Sequence, residues 1–184
     1  MPGPDNFVLT ESIAKGARNG ILIAFGLNSG VLVHTLAAAT GISLILKQSE
    51  LAFSLIQYAG AAYLLYLAYL SAKEKVEQFE TKESNELGAF KLFRTGFIMN
   101  LLNPKVSLFF IAFLPQFVRP ESGSVTKQMI IMGVAFMVIG FITFSSFALL
   151  ANQLRKPLNS LKVLTWIKWA KVIVLVGLAV YLFY

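Results

Sequence analysis

From Gly20 to Leu46 the chain runs for 27 residues without a charged side chain, from Leu51 to Ala72 for 22, and from Met129 to Ala151 for 23. A helix needs ~20 mostly apolar residues to cross the hydrocarbon of a bilayer. A soluble domain of 184 residues has no place for three such runs, because small proteins have too little interior. The composition agrees: 57% of residues are hydrophobic, only 14% are charged, and mean hydropathy is +0.69. The absence of Cys excludes a disulfide scaffold and a Cys-ligated zinc module. The apolar content excludes a disordered chain. The expected fold class is therefore an all-α membrane protein.

Two further segments belong to the membrane. Thr95–Val118 is long and apolar but is interrupted by Asn100, Asn103, Pro104, Lys105, Pro115 and Gln116. Thr165–Tyr184 carries Lys168 and Lys171 near its start, where they can snorkel beside the anchors Trp166 and Trp169. The polar stretch Lys73–Arg94, with five acids and five bases, is the only long loop and connects two halves. Residues 1–72 form the first half and 95–184 the second, within one transporter domain of 1–184. No secretory signal is expected, since the chain as read opens on Met1-Pro2-Gly3-Pro4-Asp5, without an apolar core.

Threading these segments through a bilayer collects 12 Lys and Arg on one side, from Lys15 and Arg18 to Lys168 and Lys171. The other side receives Lys47, Arg119 and Lys127. The positive side is expected to be cytoplasmic, which turns the C-terminus outward. The net charge of +7 then belongs to cytoplasmic loops rather than to a nucleic-acid surface.

The halves echo each other. Pro4-Asp5 and Pro104-Lys105 open corresponding segments at an offset of 100 residues, and each is followed by two spans. Ala59, Leu64, Leu67 and Ala68 match Ala170, Leu175, Leu178 and Ala179 at an offset of 111. Three elements per half give the halves opposite topology: an inverted 3+3 repeat with proline-broken helices, an architecture of secondary transporters. Pro2, Gly3 and Pro4 supply one break and Pro104 the other, since proline removes a donor and clashes with the preceding turn. The second half has about nine apolar residues before its break, the first only three residues before Pro4, so a half-helix is expected to be missing at the N-terminus.

Several stretches carry a family resemblance. Pro2-Gly3-Pro4-Asp5, the Gly16–Gly20 turn, Gly26-Leu-Asn-Ser-Gly-Val-Leu-Val-His34, Gly60-Ala-Ala-Tyr-Leu-Leu-Tyr66, Gly96-Phe-Ile-Met-Asn-Leu-Leu-Asn-Pro-Lys105 and Phe113-Leu-Pro-Gln-Phe117 occur in order along nearly the whole chain. Together they resemble the LysE/RhtB family of amino-acid exporters. Departures are Met1 where the family has Thr, Gln57 where it often has a base, and Ala68 where Gly is common. The resemblance implies six membrane segments in a bacterial cytoplasmic (inner) membrane and efflux of amino acids or their derivatives. It implies protons as the counter-ion.

Five residues are candidates for binding substrate. Asp5 stands at a helix break inside the membrane, where an acid costs roughly 2.5–3.5 kcal/mol on insertion scales and is retained for a purpose. It binds a substrate ammonium, takes up a proton, or caps its helix. Lys105 holds the matching place after Pro104; it binds a carboxylate or forms a static pair with Asp5. Asn100 and Asn103, three apart, face one side of a short half-helix and either donate to a carboxylate or satisfy carbonyls that Pro104 leaves open. His34 shares a stripe with Gly26 and Gly30 and either bonds across a helix seam or relays a proton.

No catalytic set accompanies them. With one His and no Cys, no phosphate-binding loop and no Gly-x-Ser-x-Gly, the chain is not expected to be an enzyme, nor to bind a metal, cofactor or nucleic acid. The expected partners are the amino-acid substrate, the lipid bilayer and protons, with a homo-oligomer left open. Export of another small solute or ion, or a non-transporting scaffold role in the membrane, are the alternatives.

Overall fold

A computed structural model describes residues 4–48, 50–76, 87–158 and 160–181. Pro2 and Gly3, two of the expected helix-breaking residues, lie outside them. The described residues contain seven α-helices and no strand: α1 (Pro4–Lys15), α2 (Ala17–Gln48), α3 (Glu50–Lys73), α4 (Ala89–Leu101), α5 (Pro104–Ala112), α6 (Val125–Leu158) and α7 (Leu161–Tyr181). Two short 3-10 turns, Leu114–Phe117 and Pro120–Ser122, lie between α5 and α6.

Four of these helices hold an apolar stretch long enough to cross a membrane: Ala17–Gly41, Ser54–Lys73, Val125–Ala151 and Leu161–Tyr181. The broken pair Ala89–Leu101 and Pro104–Phe117 makes a fifth when counted as one span. The chain is a multi-pass, all-α membrane protein. In α6 and α7, Ile131, Ile139, Leu149 and Ile173 are 63–69% exposed. Faces of that kind would be a liability in water and are the natural solvent-facing surface in lipid.

Hydroxyl groups follow the same logic. Without water, a Ser or Thr on a membrane helix must find its partner within the protein. Ser12, Ser29, Thr40, Thr95, Thr143, Ser146 and Thr165 each donate to the carbonyl oxygen four residues earlier, at 2.6–2.9 Å.

The helices form two compact units. The first contains α1, α2 as far as Val33, α4, and α6 from Gly133 onward. Its core is Val8, Ile23, Leu27, Leu92 and Ala148, with Phe7, Met99 and Phe144 packed against it. Gly26 and Gly96 decide how α2 and α4 cross. A β-carbon at Gly26 would overlap the Phe93 carbonyl, and one at Gly96 would overlap the Ile23 carbonyl. The two backbones touch, the close approach that small residues permit in membrane helices.

The second unit contains α2 from His34, α3, α5, both 3-10 turns, α6 as far as Met132, and α7. Here α3 and α7 run antiparallel. Lys171 Nζ meets Glu74 Oε2 at 2.6 Å and Lys168 Nζ donates to the Glu74 carbonyl at 2.8 Å, just past the end of α3. Ala179 packs with Ala61 and Leu64 further back along α3, and with Phe113 just after α5. At the far end the Tyr181 ring stacks on Phe117 at 5.7 Å. Gln57 on α3 donates to Gln116 at 2.8 Å and so ties the Leu114–Phe117 turn to α3.

Candidate functional site

The interruption expected at Pro104 is present. Proline disfavours helical geometry in the residue before it, and Leu102 and Asn103 leave the helix. Their N–H groups close the end of α4: Leu102 N donates to Ile98 O and Asn103 N to Asn100 O, both at 2.9 Å. Pro104 then opens α5, where its missing N–H costs nothing. Non-helical backbone inside a membrane span is tolerated where protein buries it or where it lines a cavity, so this break is the natural place to look for a site.

The expected residues fall at different places. Asn100 lies in the last turn of α4, in the first unit, and is buried, 6% exposed. Its side chain fills the space that Gly30 leaves open: a β-carbon on Gly30 would come within 2.8 Å of Asn100 Cβ and Oδ1. Asn103 is half-buried and outside the helix, so it does not continue the helical register of Asn100. Asp5 stands in the first turn of α1, one residue after Pro4, and its side chain lies outside the described ones. Lys105 is in the first turn of α5, in the second unit, and is exposed.

His34 is the buried polar centre of the second unit, 8% exposed. Its Nδ1 lies 3.4 Å from Ser107 Oγ, and its ring stacks on Phe110 with centroids 6.3 Å apart and planes at 28°. Ser107 and Phe110 are one turn apart on α5, so the short helix after the break presents both to the imidazole. Thr35 beside it is fully buried.

Four polar groups escaped the sequence reading. Ser107 had a signal, one turn after Pro104 and three residues before Phe110, but nothing in the pattern tied it to a residue 73 positions away. Glu11 is a buried carboxylate on α1, 8% exposed, on the face that also buries Val8 and Ser12. Gln57 was noted only as a departure, although it bonds Gln116. Asn28, 4% exposed, gives Nδ2 to the Ala24 carbonyl at 2.8 Å and lines a cleft of about 180 Å³ between α2 and α6 with Phe25, Met137 and Phe141. Among the described residues no three His, Asp or Glu side chains gather as metal ligands. Each unit thus keeps buried hydrogen-bonding side chains within its own apolar packing: Glu11, Asn28 and Asn100 in the first, His34 and Thr35 in the second.

The family described as LysE type translocator matches the chain over residues 1–184. A Vibrio cholerae protein described as an uncharacterized membrane protein is 31% identical over 157 residues, 85% of this chain and 76% of its own length. The homoserine/homoserine lactone efflux proteins of Salmonella typhimurium and Salmonella typhi are each 30% identical over 148 residues, 79% of this chain and 70% of theirs. No solved structure matches the chain.

Proposed function

The chain belongs to the LysE type translocators, which are transporters and not enzymes, and from that premise we propose that it is a secondary active exporter of amino acids or amino-acid derivatives. The observation that carries this reading is the helix broken at Asn103-Pro104 with Asn100 buried beside it, in a chain whose relatives are named for efflux of homoserine and its lactone. A broken span offers backbone and amide groups to a polar solute at a depth where lipid offers none.

Each expected site residue then has a role. Asn100 and Asn103 hydrogen-bond the solute at the break, Lys105 attracts a carboxylate, and Asp5 attracts an ammonium or exchanges a proton. His34 hydrogen-bonds across its helix seam or relays a proton. The repeats at 1–72 and 95–184 move against each other to alternate access. Protons supply the driving force. The protein sits in the bacterial cytoplasmic (inner) membrane with its C-terminus outward, as the excess of Lys and Arg on one side supports.

Cells loaded with homoserine test this directly. Expression of the chain is expected to speed the loss of homoserine from the cell, and an uncoupler is expected to stop it. Efflux no faster than in cells without the protein overturns the exporter reading. Efflux unchanged by Asp5→Asn combined with Lys105→Ala overturns the roles given to that pair and leaves the exporter reading standing.

A further inference from the structure

We propose that the end of the α3–α7 pair at Glu74 is a binding site for an anionic phospholipid. Lys73, Lys75, Lys168 and Lys171 hold the phosphate of its headgroup, and Trp166 and Trp169 lie against the part of the lipid just below it. Binding there does not depend on which solute the protein moves.

Glu74, the first residue past the end of α3, gathers the charges. Lys171 Nζ meets its carboxylate at 2.6 Å, and Lys168 Nζ donates to its carbonyl at 2.8 Å. Lys73 and Lys75 flank it in the chain, and both are exposed. Four lysines thus stand around one carboxylate. Among the described residues no carboxylate pairs with Lys73 or Lys75. Lys73 Nζ lies over the exposed Tyr69 ring instead, 4.5 Å from its centroid. An ammonium group over a ring keeps N–H donors for an acceptor on its other side. Lys171 keeps donors too, since an ammonium group has three and the Glu74 carboxylate takes one. The place therefore carries an excess of positive charge and open donors, which a phosphate satisfies.

The surface next to the lysines selects a lipid over a soluble anion. Leu161–Tyr181 is a membrane span, and the lysines of α7 lie in its first half. Trp166 and Trp169 are 79% and 49% exposed, and Ile173 beyond them is 69% exposed. Spacings of three and four residues put these three along one side of α7. Lys168 Nζ lies 5.7 Å from the centroid of the Trp169 ring, so ammonium groups and indoles share one level of the helix. Aliphatic side chains follow toward its C-terminal half. A phospholipid has the same order: a charged phosphate, a glycerol at the interface where indoles reside, then hydrocarbon. A soluble phosphate gains nothing from the apolar part of that surface.

Trp166 and Trp169 are the only tryptophans of the chain, so its indole fluorescence reports from this place alone. The probe is phosphatidylglycerol with brominated chains, which quench a nearby indole, mixed in small amounts into phosphatidylcholine vesicles that hold the full chain. Half-quenching is expected at about fivefold less of it than of brominated phosphatidylcholine, the ~1 kcal/mol that a lysine gains at an anionic surface. Salt at ~1 M, where the screening length is ~3 Å, is expected to abolish the difference. Lys73→Gln combined with Lys75→Gln leaves both bonds to Glu74 in place and is expected to abolish it as well, with quenching by brominated phosphatidylcholine unchanged. Lys73→Arg combined with Lys75→Arg is expected to keep it. Equal quenching of the wild type by the two lipids, or a preference that survives both the salt and the paired glutamines, overturns the inference. So does a preference removed by an excess of free glycerol phosphate, which marks a site for a soluble anion.

Discussion

Asn100 occupies a space that exists because residue 30 has no side chain beyond hydrogen. Two substitutions examine that fit from opposite sides. Asn100→Ala removes the carboxamide at the break, and a hydrogen bond to a charged group is worth ~1.5–3 kcal/mol, so initial efflux of homoserine is expected to fall at least about tenfold. Gly30→Ala leaves the carboxamide in place but puts a methyl group within 2.8 Å of Asn100 Cβ and Oδ1. One of the two must shift, and a comparable fall in efflux is expected at similar abundance in the membrane. Normal efflux from Gly30→Ala means that Asn100 adapts and that its seating has no bearing on transport. Asn100 stands out in the sequence because an amide within four residues of a proline in an apolar run is conspicuous. His34 was conspicuous as a lone imidazole. Ser107 and Glu11 were not: a serine in an apolar helix is ordinary, and the burial of a glutamate depends on neighbours that are distant in sequence.

At the scale of elements, the boundaries that the sequence concealed are those set by packing. The expectation of a half-helix from Thr95 to Asn103 was too short, for α4 already starts at Ala89. Lys91 and Arg94 looked like loop residues, yet they lie on the exposed side of α4 while Leu92 is buried on the other. Hydropathy read along the chain averages the two sides and misses such a turn. The interruption at Pro104 was legible because its cause is local. Pro104→Ala restores the missing N–H and lifts the restriction on Asn103. Helix is then expected to extend through residues 102–103, with protein abundance kept and efflux lost; unchanged efflux means that the break plays no part in transport. Gly96→Leu acts on packing alone. With the Ile23 carbonyl against that position, overpacking is expected to cost ~1–3 kcal/mol and to lower both thermal stability and abundance in the membrane.

For the molecule as a whole, the spans follow from the sequence because lipid imposes them, whereas the organisation into units depends on contacts between distant segments. Charge contributes to it weakly. The Lys171–Glu74 pair lies at 2.6 Å, but its side chains are 40% and 57% exposed, and exposed pairs are worth ~0–1 kcal/mol. Orientation is where charge is expected to decide. From the count of Lys and Arg, the segment after α3 is expected inside and the segment before α6 outside. The chain has no cysteine, so each cysteine introduced is the only thiol that a reagent can find. Ser122 and Lys75 are both exposed and both lie outside the α-helices. In intact spheroplasts, a membrane-impermeant maleimide is expected to label Ser122→Cys and to reach Lys75→Cys only after the membrane is opened. The reverse pattern turns the protein over in the membrane and points its C-terminus inward. An exporter must release its solute on the side away from the cytoplasm, so the same labelling also assigns which end of the path takes up substrate from the cell.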